Sequence, residues 1–429
     1  MRWGLTESMF RFLYSVALYL LTPFIVLQLW RRGSRSPAYR QRWAERFGFY
    51  PRALTAPQAP LWIHSVSVGE TIAIAPLVER LLAENPQTPV LMTTMTPTGS
   101  ERVVSMFGGR VTHVYCPYDL PGALARFQRR FRPRACVIVE TELWPNLIHS
   151  CARNQVPVLV ANARMSARSA KGYQRFGGLT RSMLKSVTMI AAQNDVDGQR
   201  FVSLGLEPNK LQVTGSIKFD IESDPRKVVL GDQLRSQWGD DRPVWAAAST
   251  HDDEHRQIIE IHTHLLKDFP SLMLVLVPRH PEQFAVAGDQ AAAAGLNVCR
   301  RSAGDLPDAH TQVFVGDTLG EMLGFCAASD IVFVGGSLIE RGGHNPLEPA
   351  LLSRPVLVGP HYFNFLHITD QLAEAGGLSV LADQQMLEVR LRALLENADQ
   401  AREMGEKGKA YLDANRGALG RLLALVTGL

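Results

Sequence analysis

The sequence lacks the signatures of several common protein classes. Its five cysteines lie far apart and none forms a CxxC pair, which argues against a disulfide framework or a zinc site. There is no GxxxxGK(S/T), and no GxGxxG follows the first predicted strand, which disfavours a P-loop NTPase and a dinucleotide dehydrogenase. The net charge is only +4, so there is no global basic field for nucleic acid.

The bulk composition favours a two-domain globular protein. The chain has 429 residues, more than one ordinary core accommodates, and two domains of about 200 residues each are the natural expectation. Hydrophobic residues make up 46% and charged residues 20%, which excludes a disordered chain. The cysteines are expected to be buried reduced thiols, which indicates a reducing compartment.

The N-terminal segment predicts membrane attachment. Residues 12–27 are almost unbroken apolar sequence, interrupted by Pro23, and several arginines follow (Arg31, Arg32, Arg35, Arg40 and Arg42). The segment is at the short end of what spans a bilayer, so a single-pass anchor and a helix lying in the interface both fit. Arginines after it favour the cytoplasmic side, and no small-residue cleavage site follows. Tyr14 and Trp30 are expected at headgroup level.

Residues 40–48 are predicted to form an amphipathic basic helix. Its basic face is either solvated or in contact with anionic headgroups.

From residue 60 the pattern alternates between short apolar runs and helical stretches, which predicts a parallel α/β sheet. Strands are predicted at 61–66, 90–94, 111–115, 135–139 and 158–161, and helices at 71–84, 98–107, 120–131 and 143–154. The alternation restarts at residue 243. Strands are predicted there at 244–248, 272–277, 313–316, 331–334 and 355–358, and helices at 252–267, up to 294, and at 401–425.

This pattern predicts an α/β protein of two Rossmann-like domains. Residues 218–241 are rich in charge and short of strands, and we place the boundary there. The predicted segments are an anchor and basic segment at 1–35, a first domain at 36–220, a second at 221–408, and a C-terminal helix at 409–429 that packs back on the first domain. Facing domains of this kind bind ligands between them, at the carboxyl ends of the strands. Many such proteins transfer a sugar from a nucleotide donor, but this inference rests only on analogy with other proteins of the same fold.

Three strand ends in the first domain carry candidate catalytic residues. Glu70 follows the first strand, where a carboxylate can take a proton from a hydroxyl; a helix-start Glu favoured by the helix dipole is the alternative. Glu140 and Glu142 follow the strand at 135–139, and we expect one to cap the next helix and the other to lie in the site. Lys218 offers a positive charge for a phosphate or carboxylate, or is a solvated boundary residue.

Three strand ends in the second domain favour phosphate and nucleoside contacts. Ser249 and Thr250 are suited to cap the next helix. Arg279 is suited to grip a phosphate. A loop with four glycines, at residues 335–348, is predicted to offer backbone N–H groups to an anion at a helix start, with Glu348 accepting from ribose hydroxyls; a tight connection is the alternative.

A metal site in the second domain is disfavoured. His251, Glu254 and His255 have a metal-like spacing, but we expect a solvated helix face there instead. None of the predicted strands is followed by Asp-x-Asp, so no metal is expected.

In combination, the motifs resemble the bacterial 3-deoxy-D-manno-octulosonic acid (Kdo) transferases of lipopolysaccharide synthesis. The motifs begin at the following residues: His64 (HSVSVGE), Thr93 (TTMTPTG), Glu140 (ETELWP), Asn162 (NARMSARS), Gly215 (GSIKFD), Pro278 (PRH), Gly316 (GDTLGE) and Gly342 (GGHNPLE).

The resemblance implies a GT-B fold, CMP-Kdo as donor, a lipid A precursor as acceptor and an inverting transfer at the cytoplasmic face of the inner membrane, among inner-membrane lipids, without metal or other cofactor. It implies that Glu70 is the general base and that Glu140 and Lys218 stabilise the transition state. It assigns CMP contacts to Pro278, Arg279, Leu319, Gly320, Glu321, Asn345, Pro346, Leu347 and Glu348. We also expect Arg164, Arg168 and the basic N-terminal segment to contact acceptor phosphates. The alternatives are another GT-B enzyme with a different nucleotide sugar and lipid acceptor, and a non-catalytic membrane scaffold that binds lipid or nucleotide.

Overall fold

The computed structural model describes residues 2–52, 54, 57–304 and 306–429, and within it the side chains of residues 2–8 and 35 are not described. Met1 of the predicted anchor and the side chain of Arg35 therefore lie outside the described part. The chain divides into two compact units, and each is described by itself. Unit 1 comprises Met1–Asp220 with Arg416–Leu429, and unit 2 comprises Ile221–Asn415.

Unit 1 contains a seven-stranded parallel sheet in the order β3-β2-β1-β4-β5-β6-β7. Its strands are β1 Leu61–His64, β2 Val90–Thr94, β3 Thr112–Tyr115, β4 Ala135–Val139, β5 Val158–Ala163, β6 Met189–Ala192 and β7 Leu211–Val213. Its helices are α1 Arg2–Arg35, α2 Val68–Glu84, α3 Pro97–Phe107, α4 Pro121–Phe131, α5 Pro145–Arg153, α6 Ala167–Arg175, α7 Gly177–Lys185, α8 Asp195–Ser203 and the C-terminal Ala418–Thr427.

Unit 2 contains a second seven-stranded parallel sheet, in the order β10-β11-β9-β8-β12-β13-β14. Its strands are β8 Val244–Thr250, β9 Met273–Pro278, β10 Val298–Arg300, β11 Val313–Val315, β12 Ile331–Val334, β13 Val356–Val358 and β14 Leu378–Val380. Its helices are α9 Pro225–Trp238, α10 Asp252–Leu265, α11 Phe284–Ala293, α12 Met322–Ala328, α13 Leu347–Leu351, α14 Leu366–Glu374, α15 Gln384–Glu396 and α16 Ala398–Ala414. The C-terminal helix of unit 1, Ala418–Thr427, is α17.

Burial on both faces explains why the central strands read as continuous apolar runs. Every residue of β1, β4, β9 and β12 is buried, which is usual for a parallel sheet covered by helices on both sides. All five cysteines are buried and free, as the sequence predicts. Between residues 60 and 358 the predicted strands and helices are present, with ends shifted by a few residues. Residues 164–213, for which no elements were predicted, form α6, α7, β6, α8 and β7.

The N-terminal helix α1 lies along the surface of unit 1. Residues Met9–Ser34 are long and apolar enough to cross a membrane by length and composition, with a mean hydropathy of 1.9. Hydrogen bonds attach the helix to the rest of unit 1: among them, Tyr14 Oη donates to Asp119 Oδ2 (3.0 Å), Ser15 Oγ donates to Asn146 Oδ1 (3.1 Å), and Gly122 N donates to Tyr19 Oη (3.1 Å). The Tyr14 hydroxyl is thus bound to the protein, and the expectation that Tyr14 sits at headgroup level stays a prediction.

The opposite face of α1 is apolar and exposed. Side chains between 44% and 76% exposed on this helix include Phe12, Leu13, Leu20, Phe24 and Leu27. Trp30 is also exposed, and the guanidinium of Arg40 lies over its ring at 5.2 Å. The helix therefore has one face that packs on the protein and one that presents hydrocarbon.

The basic segment at residues 40–48 is not an amphipathic helix. It forms short 3-10 turns at Pro37–Arg40 and Trp43–Phe47, and Arg42 between them has a left-handed backbone (φ 56°) that ends regular helix. Arg46 is only 1% exposed and stacks on Tyr115 at 4.2 Å, and Arg42 is paired with Glu45 at 2.7 Å. This segment packs against unit 1 instead of presenting a row of free arginines.

The helix predicted at 401–425 is two helices, α16 and α17. Gly417 separates them in a left-handed conformation (φ 88°), which a continuous helix does not allow. Asp220, the last residue of the first part of unit 1, accepts from the backbone N–H groups of Gly417 and Leu419, each at 2.6 Å. Leu422, Leu423 and Val426 of α17 then join the buried cluster beneath α2.

Candidate active site

The sheet of unit 1 has a topological switch point between β1 and β4. The chain proceeds from β1 outward to β2 and β3 on one side, and from β4 to β7 on the other. The helices that follow β1 and β4 therefore diverge, which opens a crevice at the carboxyl ends of these two strands. Glu70 follows β1, and Glu140 and Glu142 follow β4. The structure thus brings together the carboxylates that the sequence singles out.

Glu70 lies in the first turn of α2 and is partly buried. Its Oε1 accepts from the Ser67 hydroxyl and its Oε2 from the backbone N–H of Val66, both at 2.8 Å. Burial raises the pKa of Glu70 to about 7; the two hydrogen bonds oppose this rise, and Glu142 and Glu140 add to it. A carboxylate about half ionised near neutral pH matches the requirement of a general base.

Glu140 directly follows β4 in an unusual backbone conformation. Its φ is +58°, in the left-handed region that non-glycine residues rarely adopt. Its N–H donates to the Ala161 carbonyl of β5 at 2.9 Å, so the neighbouring strand holds it in place. Such strain costs of order 1–3 kcal/mol and clusters at functional sites.

Glu142 is held by an aromatic side chain and does not cap a helix. The Trp144 indole N–H donates to Glu142 Oε2 at 2.9 Å, and the Trp144 ring stands edge-on to His64 at 5.0 Å. Burial, with a smaller effect of Glu140, raises the pKa of Glu142.

The expectation that Glu140 or Glu142 caps the following helix is wrong. The N-cap of α5 is Trp144. The first N–H groups of α5, from Asn146 and Leu147, are bound by the buried carboxylate of Asp119 at 3.0 and 2.6 Å. Since Asp119 already satisfies these donors, the helix start needs no carboxylate from the β4 end.

Lys218 lies in a 3-10 turn at Ile217–Phe219 and is partly buried. Asn162, at the end of β5, fixes this turn: its Oδ1 accepts from the N–H of Ile217 at 3.2 Å. Asn162 is fully buried and has φ 53°, a conformation that Asn tolerates better than most residues. Because β5 pairs with β4, the Lys218 turn lies at the same sheet edge as Glu140. The sequence shows Asn162 within a motif but gave no role for it.

Unit 2 has its own switch point between β8 and β12. Arg279 follows the adjacent strand β9, and its N–H donates to the Thr250 carbonyl of β8 at 2.8 Å. Its side chain is exposed. Thr250 belongs to β8 and does not cap α10: the strand continues two residues further than predicted, and the N-cap is His251.

The first N–H groups of the glycine-rich loop are occupied by Glu254. The buried Glu254 carboxylate accepts from the backbone of Gly336, Ser337 and Leu338 at 2.8 to 3.2 Å, and from His251 N at 3.2 Å. Burial raises its pKa, and these four N–H groups oppose the rise. This part of the loop is therefore not an empty anion site, contrary to the sequence prediction.

Further along the loop, the predicted nucleotide contacts lie close together. Asn345 Oδ1 accepts from Leu347 N at 3.2 Å, and Asn345 Nδ2 donates to Glu348 Oε1 at 3.4 Å. Burial raises the pKa of Glu348, whereas that hydrogen bond and the charges of Lys227 and Arg279 lower it. Arg279, at the neighbouring strand end, is therefore close enough for its charge to act on the Glu348 carboxyl.

Three histidines lie at this same edge of unit 2, and sequence reasoning did not identify them as a group. His251 Nε2 and His344 Nε2 are 3.0 Å apart with near-parallel rings, and His280 stands edge-on to His251 at 5.6 Å. Burial, together with His251, Arg279 and His280, lowers the pKa of His344 to about 4. The His251–His344 pair is thus neutral at pH 7, with one ring donating and the other accepting.

The solvated helix face predicted for His251, Glu254 and His255 is wrong, because all three are buried and Glu254 binds the loop that follows β12. A signal was present in the sequence: His251 and His280 follow two neighbouring strand ends, and His344 lies in the loop after a third.

Leu319, Gly320 and Glu321 follow β11, which pairs with β9, so they share the sheet edge with Arg279. Leu319 is 75% exposed, and Glu321 is paired with Arg301 at 3.0 Å. Among the residues that the structure describes, no group of three or more His, Cys, Asp or Glu side chains is arranged to hold a metal ion. Independence from metal stays a prediction.

Two Rossmann-like units, each built on a seven-stranded parallel sheet, define a protein of the GT-B fold class. The fold is similar to that of MurG from Acinetobacter baumannii, with a TM-score of 0.55, 12% identity, and coverage of 87% of this chain and 100% of that one. At this identity the likeness shows the fold alone.

Sequence comparison then gives the family. The family model for 3-deoxy-D-manno-octulosonic acid transferase matches residues 41–221. The transferase of that name from Haemophilus influenzae is 44% identical over 97% of this chain and 98% of its own, and the one from Bordetella pertussis is 38% identical over 96% and 98%. The chain therefore belongs to the Kdo transferase family and is a glycosyltransferase, as the motifs predict.

Proposed function

We propose that this enzyme transfers Kdo from CMP-Kdo to the lipid A precursor, tetraacyldisaccharide 1,4′-bisphosphate, with inversion at the anomeric carbon, in lipopolysaccharide synthesis. The observation that carries the proposal is Glu70, a carboxylate at a switch point whose pKa burial raises to about 7. A hydroxyl nucleophile needs such a base. Kinship with the Kdo transferases supports Kdo as the transferred sugar.

CMP is proposed to bind unit 2. Arg279, exposed and with its charge near Glu348, is suited to pair with the single phosphate. Glu348, oriented by Asn345, is suited to accept from ribose hydroxyls. Pro278, Pro346, Leu347 and the segment from Leu319 to Glu321 complete the proposed set. One phosphate carries less charge than a diphosphate, so Arg279 can serve here without a metal.

In the proposed reaction, a hydroxyl of the acceptor attacks the anomeric carbon of Kdo while Glu70 takes its proton. The bond from that carbon to the phosphate oxygen breaks, and CMP leaves with the electron pair. Direct attack on the opposite face inverts the centre. Glu140 and Lys218 are proposed to stabilise the charge that develops in the transition state, in an environment already organised before reaction.

A lipid acceptor is supported by an apolar groove beside Trp144, the residue that holds Glu142. The groove has a volume of about 220 Å³ and is lined by α1 (Tyr14, Leu18, Thr22 and Ile25) and by Met95, Tyr118, Asp119, Leu120 and Trp144. Its lining is mostly hydrocarbon, which suits an acyl chain. Arg164 and Arg168, at the start of α6, remain proposed contacts for acceptor phosphates.

Membrane attachment is proposed to occur through α1 lying in the interface on the cytoplasmic face. A spanning α1 would draw Asp119 and Asn146, to which it is hydrogen-bonded, toward the hydrocarbon, and polar groups are costly there. An in-plane helix instead buries its exposed apolar face while the bound face stays on the protein.

Mass spectrometry of the lipid formed from CMP-Kdo and purified acceptor tests the reaction, and NMR of the new linkage tests inversion. Glu70→Ala is expected to bind CMP normally but to lose at least about 10²-fold in transfer. Protection against heat unfolding by CMP but not UDP supports the donor. Protection by UDP alone, or no Kdo-lipid product, contradicts the proposal.

A further inference from the structure

A second groove, on the other flank of α1, is basic. It has a volume of about 620 Å³ and lies between α1, α4 and α5. Three arginines line it, Arg11 from α1, Arg129 from α4 and Arg153 from α5, together with His149. None of the described residues that line it is an aspartate or glutamate. The groove therefore gathers positive charge without an internal counter-ion.

Arg11 and Arg153, on facing sides of this groove, are near enough for their charges to interact. Burial, and then the charge of Arg153, lower the pKa of Arg11. Like charges in a partly desolvated groove disfavour the empty state, and an anion between them relieves that repulsion. Planar guanidinium groups bind phosphate oxygens through paired hydrogen bonds. The chemistry thus favours a phosphate group.

The position of the groove favours a membrane lipid over the reacting sugar. Ser15 and Tyr19 of α1 line the basic groove, whereas Tyr14, Leu18 and Ile25 line the apolar groove beside Trp144. Arg129 and Arg153 lie in the last turns of α4 and α5. These turns are at the end of each helix remote from the strand ends that carry Glu70 and Glu142, about 13 Å away along a nine-residue helix.

We propose that this groove binds the phosphate of an anionic membrane phospholipid, whose acyl chains lie along the exposed apolar face of α1. Phe12 and Val16 line the groove and are exposed, so a path for hydrocarbon leads from the arginines to that face. The inference rests on the proposed attachment of α1 in the interface. It adds a headgroup site that fixes the depth and rotation of the enzyme on the membrane.

The test compares binding of the full-length protein to phosphatidylcholine vesicles with and without phosphatidylglycerol. Wild type is expected to prefer the anionic vesicles, and Arg129→Gln with Arg153→Gln to lose about 25-fold of that preference, since each basic residue near such a surface contributes about fivefold. Arg102→Gln with Arg256→Gln, two exposed arginines outside the groove, is the matched control for net charge. It is expected to retain the preference.

Two further arms separate a built site from diffuse charge and from other ligands. Arg129→Lys with Arg153→Lys keeps the charge but loses the paired hydrogen bonds, so it should also weaken binding at least several-fold. Short-chain phosphatidylglycerol, but not inorganic phosphate, should protect the detergent-solubilised enzyme against heat.

The proposal is overturned if the Lys variant binds like wild type, if the control loses as much as the Gln variant, or if inorganic phosphate protects equally. It is also overturned if the Gln variant raises the KM for the lipid acceptor with unchanged vesicle binding, which would assign the groove to the acceptor. Two wild-type measurements test the proposed function independently of this site: binding to neutral vesicles reports on attachment through α1, and CMP release reports on the transfer reaction.

Discussion

Replacement of Glu70 by Gln should lower the transfer activity but raise the free energy of unfolding at alkaline pH. The folded protein holds this carboxyl with a pKa of about 7, against an ordinary value of 4.5, because burial penalises the charged form. Folding therefore favours the protonated form. The corresponding stability is fully present below about pH 4.5 and is lost as the pH rises through about 7.

The magnitude follows from this difference. Each tenfold change in proton affinity corresponds to about 1.4 kcal/mol, so an ionised Glu70 costs the folded state up to about 3 kcal/mol near pH 8, and under about 1 kcal/mol near pH 5. Gln is neutral at both pH values and can still accept from the N–H of Val66. We expect Glu70→Gln to raise the free energy of unfolding near pH 8 and to change it little near pH 5.

The assay is chemical denaturation at both pH values, combined with the pH profile of transfer. Wild-type kcat/KM should fall about tenfold per pH unit below about 7, and Glu70→Gln should lose at least about 10²-fold in transfer. Glu101→Gln, an exposed residue of α3, is the control and should change neither quantity. Equal stabilisation at both pH values, or near-normal transfer by Glu70→Gln, would refute the reasoning.

Three further predictions concern the two units. Arg279→Ala should weaken CMP binding about 10- to 100-fold, as measured by titration calorimetry, because a hydrogen bond to a charged group is lost. Stability should not fall, since the side chain is exposed. Unchanged affinity contradicts the assignment. Glu254→Gln should lower the free energy of unfolding by about 3 kcal/mol in denaturant, because fewer buried N–H groups of the loop keep an acceptor; an unchanged midpoint argues against it. Asp220→Ala should destabilise α17 by about 1–2 kcal/mol through loss of its cap, and hydrogen exchange at residues 418–427 no faster than in wild type would contradict this.

The alternating pattern sufficed to predict five of the seven strands of each sheet, because parallel strands buried on both faces are unbroken apolar runs. β2, β4 and β12 have ends close to those predicted for the same reason. The four strands it missed, β6, β7, β10 and β14, lie at or next to a sheet edge. Residues 164–213 were harder, because short helices such as α6 and α7 have polar, exposed faces, and the edge strand β7 is mostly exposed. Their apolar periodicity is correspondingly weak.

Residues at strand ends were predictable only in part, because a sequence gives their place along the chain but not their partners. Glu70 could be placed at the crevice, because the carboxyl end of the first strand and the start of the helix that follows it lie there in this topology. The choice between Glu140 and Glu142 stayed open because it depends on where β4 ends. It ends at Val139, and the left-handed backbone at Glu140 and the Trp144 hydrogen bond to Glu142 then separate the two carboxylates.

The glycine-rich loop shows how a correct motif can be given an incorrect local chemistry. Glu254 lies in the first turn of α10, where an acid ordinarily caps its own helix, yet its carboxylate also binds backbone N–H groups up to 84 residues away. A Cβ at Gly335 would come within 2.8 Å of the β8 backbone, so this glycine is required by packing between strands. Gly342 and Gly343 have positive φ and lead directly into His344 and Asn345. The first half of the loop therefore secures the sheet edge around a buried carboxylate, and only its second half remains available to a nucleotide.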